Sequence, residues 1–118
     1  PPLPAPLPGG AELLNLGELV AAPGYMSEHS GVYPVGYQVR WPAPSPGAAG
    51  YTCTIRRGAE GPRFRVERSV EGEDPIRVSA DAPEEAWEAL RNACHIKGLV
   101  GERGSPPRPG APGLAPAG

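Results

Sequence analysis

Tyr51-Thr-Cys-Thr-Ile-Arg-Arg-Gly-Ala-Glu-Gly-Pro-Arg-Phe-Arg-Val-Glu-Arg68 is the stretch of sequence that decides the fold. Apolar residues alternate with polar ones on both sides of a central glycine-containing segment: Tyr51, Cys53 and Ile55 before it, Phe64 and Val66 after it. Alternation with a period of two is typical of strands that bury one face, and glycines between two such runs indicate a turn. The sequence therefore predicts a β-hairpin that buries these five side chains.

The polar positions of this hairpin are rich in arginine. We expect a basic face on its solvent side, made by Arg56, Arg57, Arg63, Arg65 and Arg68. Such a face is either a solvated surface that discourages edge pairing or a contact for an acidic partner or a nucleic-acid backbone. Two observations weigh against nucleic acid: the chain has a net charge of −2, and no aromatic residues interleave with these arginines for base stacking.

The residues after the hairpin predict a third strand and then a helix. The strand begins at Ile76, and Asp81 is the predicted helix N-cap with Glu84 as its capping-box partner. Apolar residues then recur at helical spacing: Ala86, Trp87, Leu90, Ala93 and Cys94. Gly98 marks the end of the helix. We expect the large side chain of Trp87 to anchor this helix to the sheet.

The residues before the hairpin predict further strands. The apolar run within 13–20 is short, so its period does not distinguish a strand from a helical turn. Residues 32–41 read as a strand with a bend, because Pro34 fixes φ and Gly36 permits a turn. A proline-rich loop, residues 42–50, leads into the hairpin. Strands followed by one packed helix predict an α+β domain with a small antiparallel sheet.

Both ends of the chain are rich in proline and glycine. The 118 residues include 18 prolines and 17 glycines, concentrated near the two termini. Such segments carry little apolar surface to offset the entropy of ordering. We therefore expect a disordered proline-rich arm over residues 1–12 and a disordered tail over residues 99–118, flanking the folded part.

Three blocks of the folded part resemble the FY-rich N-terminal region, FYRN. They are Tyr33-Pro34-Val35-Gly36-Tyr37, Tyr51-Thr52-Cys53-Thr54-Ile55 and Gly61-Pro62-x-Phe64-x-Val66. Ser79-Ala80-Asp81-Ala82-Pro83-Glu84-Glu85-Ala86-Trp87 resembles the opening of the companion FY-rich C-terminal region, FYRC. On this resemblance residues 13–78 are an FYRN-like β region and residues 79–98 a partial FYRC-like helical region.

The resemblance implies a function. FY-rich regions occur in mixed-lineage-leukaemia-type histone methyltransferases, in jumonji-type demethylases and in the transforming-growth-factor-beta regulator family. It implies a nuclear, chromatin-associated, non-catalytic interaction module, whose partner is a complete FYRC region or a subunit of a chromatin complex. The residues expected to build or contact the interaction surface are Tyr33, Pro34, Gly36, Tyr37, Arg40, Trp41, Tyr51, Phe64 and Trp87. Two alternatives stay open: a basic-faced nucleic-acid or chromatin adaptor, and a fragment of a histone-modifying enzyme.

The sequence offers little for catalysis or metal binding. Ser27, Glu28 and His29 are adjacent in one loop, but adjacency gives no nucleophile–base geometry. His29, Cys53, Cys94 and His95 match no zinc-ligand spacing. No apolar run approaches the length needed to span a membrane. We therefore expect no catalytic residue, no metal and no cofactor, and two cysteines that are simply buried.

Overall fold

The structure is a computed structural model and describes residues 2–27 and 31–98. Within this part of the chain the strands are β1 (Ala5–Pro6), β2 (Glu12–Asn15), β3 (Met26–Ser27), β4 (Gly31–Val32), β5 (Gln38–Trp41), β6 (Gly50–Arg57), β7 (Pro62–Ser69) and β8 (Ile76–Ala80). They are followed by helix α1 (Pro83–Ile96). The predicted α+β class, an antiparallel sheet with one C-terminal helix packed on it, is confirmed.

Six of these strands form one antiparallel sheet in the order β1-β2-β5-β6-β7-β8. The predicted hairpin is its centre: β6 pairs with β7 from Gly50 opposite Ser69 to Arg57 opposite Pro62. The five apolar side chains of the hairpin are all buried, as their period predicts. Strands β3 and β4 form a separate two-stranded ladder.

Helix α1 covers one face of the sheet, here called the inner face, and packs mainly on β7 and β8. Its buried side chains include Ala86, Trp87 and Leu90, each with 0% exposure. The capping prediction is wrong. The N-cap is Ala82 without a side-chain hydrogen bond, and the Asp81 carboxylate instead accepts a hydrogen bond from Arg63. The helix ends as predicted, with the Gly98 N–H donating to the carbonyl of His95.

The expectation of a disordered arm over residues 1–12 is wrong for its described residues. Strand β1 pairs with β2 through Ala5 opposite Leu13, and Ala11 is buried in the core. Leu7 packs against that core, and its N–H donates to the carbonyl of Ala11. Two apolar side chains and an edge-strand pairing therefore fix a segment whose composition suggests disorder. The predicted tail over residues 99–118 lies outside the described residues.

The strand predicted over residues 32–41 is divided between two sheets. Its first residue, Val32, belongs to β4 and its last four to β5, with an isolated bridge from Val35 to Glu18 between them. Gly17 permits this bridge: a Cβ there would lie 2.6 Å from the backbone nitrogen of Tyr37. The φ of Gly17 is +74°, which a residue with a side chain rarely adopts.

Candidate interaction surfaces

The three sequence blocks that carry the FYRN resemblance meet in space. The Gly36 N–H donates to the Ile55 carbonyl over 2.7 Å, and the Ile55 N–H donates to the Tyr37 carbonyl over 2.9 Å. The ring of Tyr33 stands edge-on to that of Phe64, with centroids 5.1 Å apart. The Tyr-Pro-x-Gly-Tyr block is therefore held against both strands of the hairpin, and Pro34 and Gly36 form the turn that places it there.

A second aromatic cluster joins the helix to the sheet. The ring of Trp87 makes edge contacts with Trp41 at 5.5 Å and with Tyr51 at 6.3 Å. Trp87 is fully buried whereas Trp41 is half-buried. The indole Nε1 of Trp87 has no hydrogen-bond partner within the described residues. The aromatic residues singled out in the sequence are thus chiefly core residues, because edge-to-face ring contacts and burial account for them.

Tyr33 and Tyr37 lie at the margin of this core. Both are half-buried, and burial raises the pKa of each phenol above its ordinary value. Their rings therefore present a limited surface. Arg40, also a candidate, points to the opposite face of the sheet and pairs with Glu12 at 3.1 Å.

The solvent-facing side of the sheet, here called the outer face, carries most of the predicted arginines. Arg56 is exposed, Arg63 pairs with Asp81 at 2.7 Å, and Arg65 lies 3.9 Å from Glu67. Arg57 is also exposed, but at the end of β6 it continues the alternation of Cys53 and Ile55, so it is not on the outer face. The register adds residues that the hairpin sequence alone does not reveal: Glu12, Gln38 and Arg40 from β2 and β5, and Arg77 and Ser79 from β8. Their alternation with the buried residues of each strand is the signal that identifies them.

The assignment of Arg68 to the basic face is wrong. Arg68 is 1% exposed and lies on the inner face, because it continues the alternation of Phe64 and Val66. The register places it between Tyr51 and Ile76. Its Nη1 lies 3.7 Å from Glu73 in the turn after β7, and that carboxylate is half-exposed. Arg68 thus belongs to the core and is not available to a partner on the outer face.

A small polar cavity of about 190 Å³ opens on the outer face. Six side chains line it: Gln38, Thr52, Thr54, Arg56, Arg65 and Glu67. The Gln38 amide Nε2 donates to Thr54 Oγ1 over 2.9 Å, which fixes both groups on one wall. The cavity therefore combines fixed neutral hydrogen-bonding groups with two guanidinium groups and one carboxylate.

A larger cavity, about 330 Å³, lies at one end of the sheet. The proline-rich loop after β5 forms much of its wall, together with Trp41, Tyr51 and Val70. Prolines, alanines and glycines supply most of that loop wall, so the loop provides few side chains that could orient a polar ligand.

Large exposed apolar side chains are concentrated before β5. Leu16, Leu19, Met26 and Val32 are exposed, and Met26 lies directly opposite Val32 in the ladder of β3 and β4. The inner face at the centre of the sheet is covered: Val39, Cys53 and Val66 have 0% exposure. Exposed apolar pairs of this kind are typical of partner contacts when they form a continuous patch.

Within residues 2–27 and 31–98, no group of three or more His, Cys, Asp or Glu side chains is placed to hold a metal ion. Cys53 and Cys94 are buried free thiols, and burial raises the pKa of Cys53 to about 12. A thiol with so high a pKa stays protonated and unreactive at neutral pH. Glu28 and His29 lie outside the described residues. The described helix is too short and too polar to cross a membrane.

No protein-family model matches the chain, and no curated protein matches it significantly. The resemblance to the FY-rich regions therefore stays a prediction from sequence.

Proposed function

We propose that this domain is a non-catalytic interaction module of FY-rich type in a nuclear, chromatin-associated regulatory protein. The observation that carries the proposal is the convergence of the three FYRN-like blocks through the backbone hydrogen bonds of Gly36, Tyr37 and Ile55. Residues that carry the resemblance are separated in sequence, yet they make one structural unit.

The contact between the helix and the sheet also supports the proposal. Trp87 belongs to the FYRC-like segment, whereas Trp41 and Tyr51 belong to the FYRN-like region, and the three rings share one core. The resemblance implies that the two FY-rich regions associate into one folded unit. Here the opening of the FYRC-like segment already occupies the inner face of the sheet.

The partner is a complete FYRC region or a subunit of a chromatin complex. Its docking surface on this domain includes the exposed pair Met26 and Val32. These side chains lie opposite each other on adjacent strands, so a partner that covers one also covers the other. Burial of both would supply part of the apolar area that a specific interface requires.

The test is a titration of this chain with a complete FYRC polypeptide from a mixed-lineage-leukaemia-type methyltransferase, followed by calorimetry and thermal melting. At about 100 times the dissociation constant a native-state ligand stabilises by about 2.7 kcal/mol, which raises the melting midpoint on the order of 10 °C. Changing Met26 and Val32 together to Ser should abolish the heat of binding and the shift. The control is Ile96→Ser, which changes an exposed apolar residue on the helix and should leave binding intact.

Absence of both heat and melting shift with the wild-type chain would contradict the FY-rich proposal. Each of the two alternative functions predicts a different binding result. A nucleic-acid adaptor binds duplex DNA or RNA in a strongly salt-dependent manner. A fragment of a histone-modifying enzyme binds the catalytic domain of that enzyme in trans.

A further inference from the structure

Two arginines on the outer face have like-charged neighbours. Arg56 lies directly opposite Arg63 in the register of β6 and β7, and Arg65 occupies the next outward position on β7. Like charges directly opposite each other in a sheet destabilise it. The hairpin therefore concentrates the positive charges of Arg56, Arg63 and Arg65 at one place on the outer face.

The carboxylates of the outer face are engaged by other arginines. Glu12 pairs with Arg40, Asp81 with Arg63, and Glu67 accepts a hydrogen bond from Arg77. Arg65 reaches the same carboxylate oxygen of Glu67 only at 3.9 Å. Within the part of the chain that the structure describes, the Arg56 side chain makes no ion pair and no hydrogen bond. The guanidinium groups of Arg56 and Arg65 therefore have N–H donors available to a ligand.

These two guanidinium groups flank the polar cavity. Its volume of about 190 Å³ is below the roughly 300 Å³ of the smallest drug-sized pockets, so it suits the head group of one side chain. Planar guanidinium groups recognise carboxylates through paired hydrogen bonds. The Thr52 and Thr54 hydroxyls, on the same strand as Arg56, add neutral hydrogen-bonding groups.

We propose that the outer face binds an acidic peptide segment, with one Asp or Glu carboxylate held between Arg56 and Arg65. The opposite charges of ligand and cavity favour this occupant. A neighbouring acidic side chain of an extended peptide, two residues and roughly 7 Å further along, would remain near Arg63, which lies opposite Arg56 on the same face. The proposal depends on the outer face alone and does not require the FY-rich assignment.

A nucleic-acid backbone fits this face less well. Glu67 lines the cavity itself, and Glu12 and Asp81 lie on either side of it along the outer face. A continuous row of phosphates would meet these carboxylates, whereas a peptide can place acidic residues only where arginines lie. The described aromatic side chains with ring contacts belong to the inner face, so none of those rings is available here to stack a base.

The test measures fluorescence anisotropy of a labelled peptide of about eight residues with alternating Glu and Ser, in buffer of about 20 mM salt. A peptide with Gln in place of Glu is the ligand control. The full chain should bind the acidic peptide and not the Gln peptide. Changing Arg56 and Arg65 together to Gln should weaken binding by about tenfold or more, because both charge-assisted contacts are lost. The matched variant changes Arg57 and Arg91 to Gln, which removes the same charge elsewhere, and should weaken binding by less than about twofold.

Three results would overturn the proposal: no binding of the acidic peptide by the wild-type chain, equal weakening in the matched variant, or tighter binding of a labelled duplex DNA or RNA at the same salt concentration. Thermal melts establish that each variant is folded, and the single change Arg56→Gln provides a milder version of the same test. Failure here leaves the FYRC titration unaffected, because that experiment depends on Met26 and Val32 and not on the arginines.

Discussion

The two faces of the central hairpin differ in what their side chains do for the fold. The inner face holds Phe64, Val66 and Arg68 under the helix, each almost fully buried. The outer face of the same strand holds Arg63, Arg65 and Glu67, which meet solvent and one another. The inner face therefore supplies most of the stability, whereas exposed charges such as those of the outer face contribute little to it. A partner can use the outer face without unfolding anything.

The comparison also separates two roles for aromatic residues. Rings that the sequence marks as distinctive lie on or beside the inner face, where they contact each other and the helix. Distinctive residues in a small domain are often needed to fill its core, because few large side chains are available to do so. An interaction surface on this domain is thus to be sought among exposed side chains such as Val32 and Arg56.

The largest expected effect is on the inner face. Trp87→Ala should lower the free energy of unfolding by about 3–5 kcal/mol, because it removes the fully buried ring that contacts both Trp41 and Tyr51. Phe64→Ala should cost a similar amount. Urea denaturation followed by circular dichroism measures both values. The control is Ile96→Ala, 84% exposed on the same helix, which should change stability by less than about 0.5 kcal/mol. A change below about 1 kcal/mol for Trp87→Ala would mean that the helix does not depend on this anchor.

The second prediction compares two arginines three positions apart on β7. Arg68→Ala should destabilise by about 2–4 kcal/mol, because it removes a buried side chain and leaves a cavity against Tyr51 and Ile76. Arg65→Ala should cost no more than about 0.5 kcal/mol, because that side chain is part-exposed and its ion pair is long. The same denaturation experiment applies. Equal costs for the two variants would contradict the assignment of Arg68 to the inner face.

The third prediction concerns pH. Burial raises the pKa of Cys53 to about 12 from an ordinary value of 9.0, so the folded state keeps a proton that the unfolded state releases. The stabilisation is fully present below pH 9 and is lost as the pH rises through 12, with about 1.4 kcal/mol already lost at pH 10. The Cys53→Ala variant should lack this loss of unfolding free energy between pH 8 and pH 10, even if the substitution itself changes the stability at pH 8.

Melting curves of the wild type and of Cys53→Ala at both pH values measure the difference. The pKa values of Tyr33 and Tyr37 are also raised, so some alkaline destabilisation should persist in the variant above pH 10. An identical fall in the two proteins between pH 8 and pH 10 would show that Cys53 is accessible to hydroxide in the native state.

Most residues of the inner face could be predicted from the sequence, because the spacing of apolar residues along a strand or helix determines which side chains are buried. Tyr51, Cys53, Ile55 and Phe64 are buried as their alternation requires, and the helical stripe faces the sheet. The prediction for Arg68 is wrong because Arg68, although charged, continues the inward alternation of Phe64 and Val66. A strand places every second residue inward whatever its chemistry, and the protein then surrounds that residue with partners.

Other features of the fold depend on pairing that local sequence does not encode. Leu7 and Ala11 are individually weak signals in a proline-rich segment. The pairing of β1 with β2 nevertheless brings both side chains to the core. Asp81 is of a residue type and at a position typical of a helix N-cap, but its carboxylate accepts a hydrogen bond from Arg63 of β7 instead. The outer cavity draws residues from three strands, and only the register brings Gln38 to Arg65.

The smallest expected effect tests the outer face directly. Arg56→Glu should stabilise the fold by about 0.2–1 kcal/mol, because it replaces a like-charged cross-strand pair with an attractive one opposite Arg63. The same change should abolish binding of the acidic peptide, because it puts a carboxylate where the ligand's carboxylate would lie. Arg57→Glu is the control: it alters the net charge equally but lies opposite Pro62, so neither stability nor peptide binding should change to the same extent. Urea denaturation and the anisotropy titration on both variants measure the two effects. A gain in stability together with a loss of binding would show that the arginine is retained for a ligand at the expense of the fold, whereas a loss of stability would mean that Arg56 has a structural role.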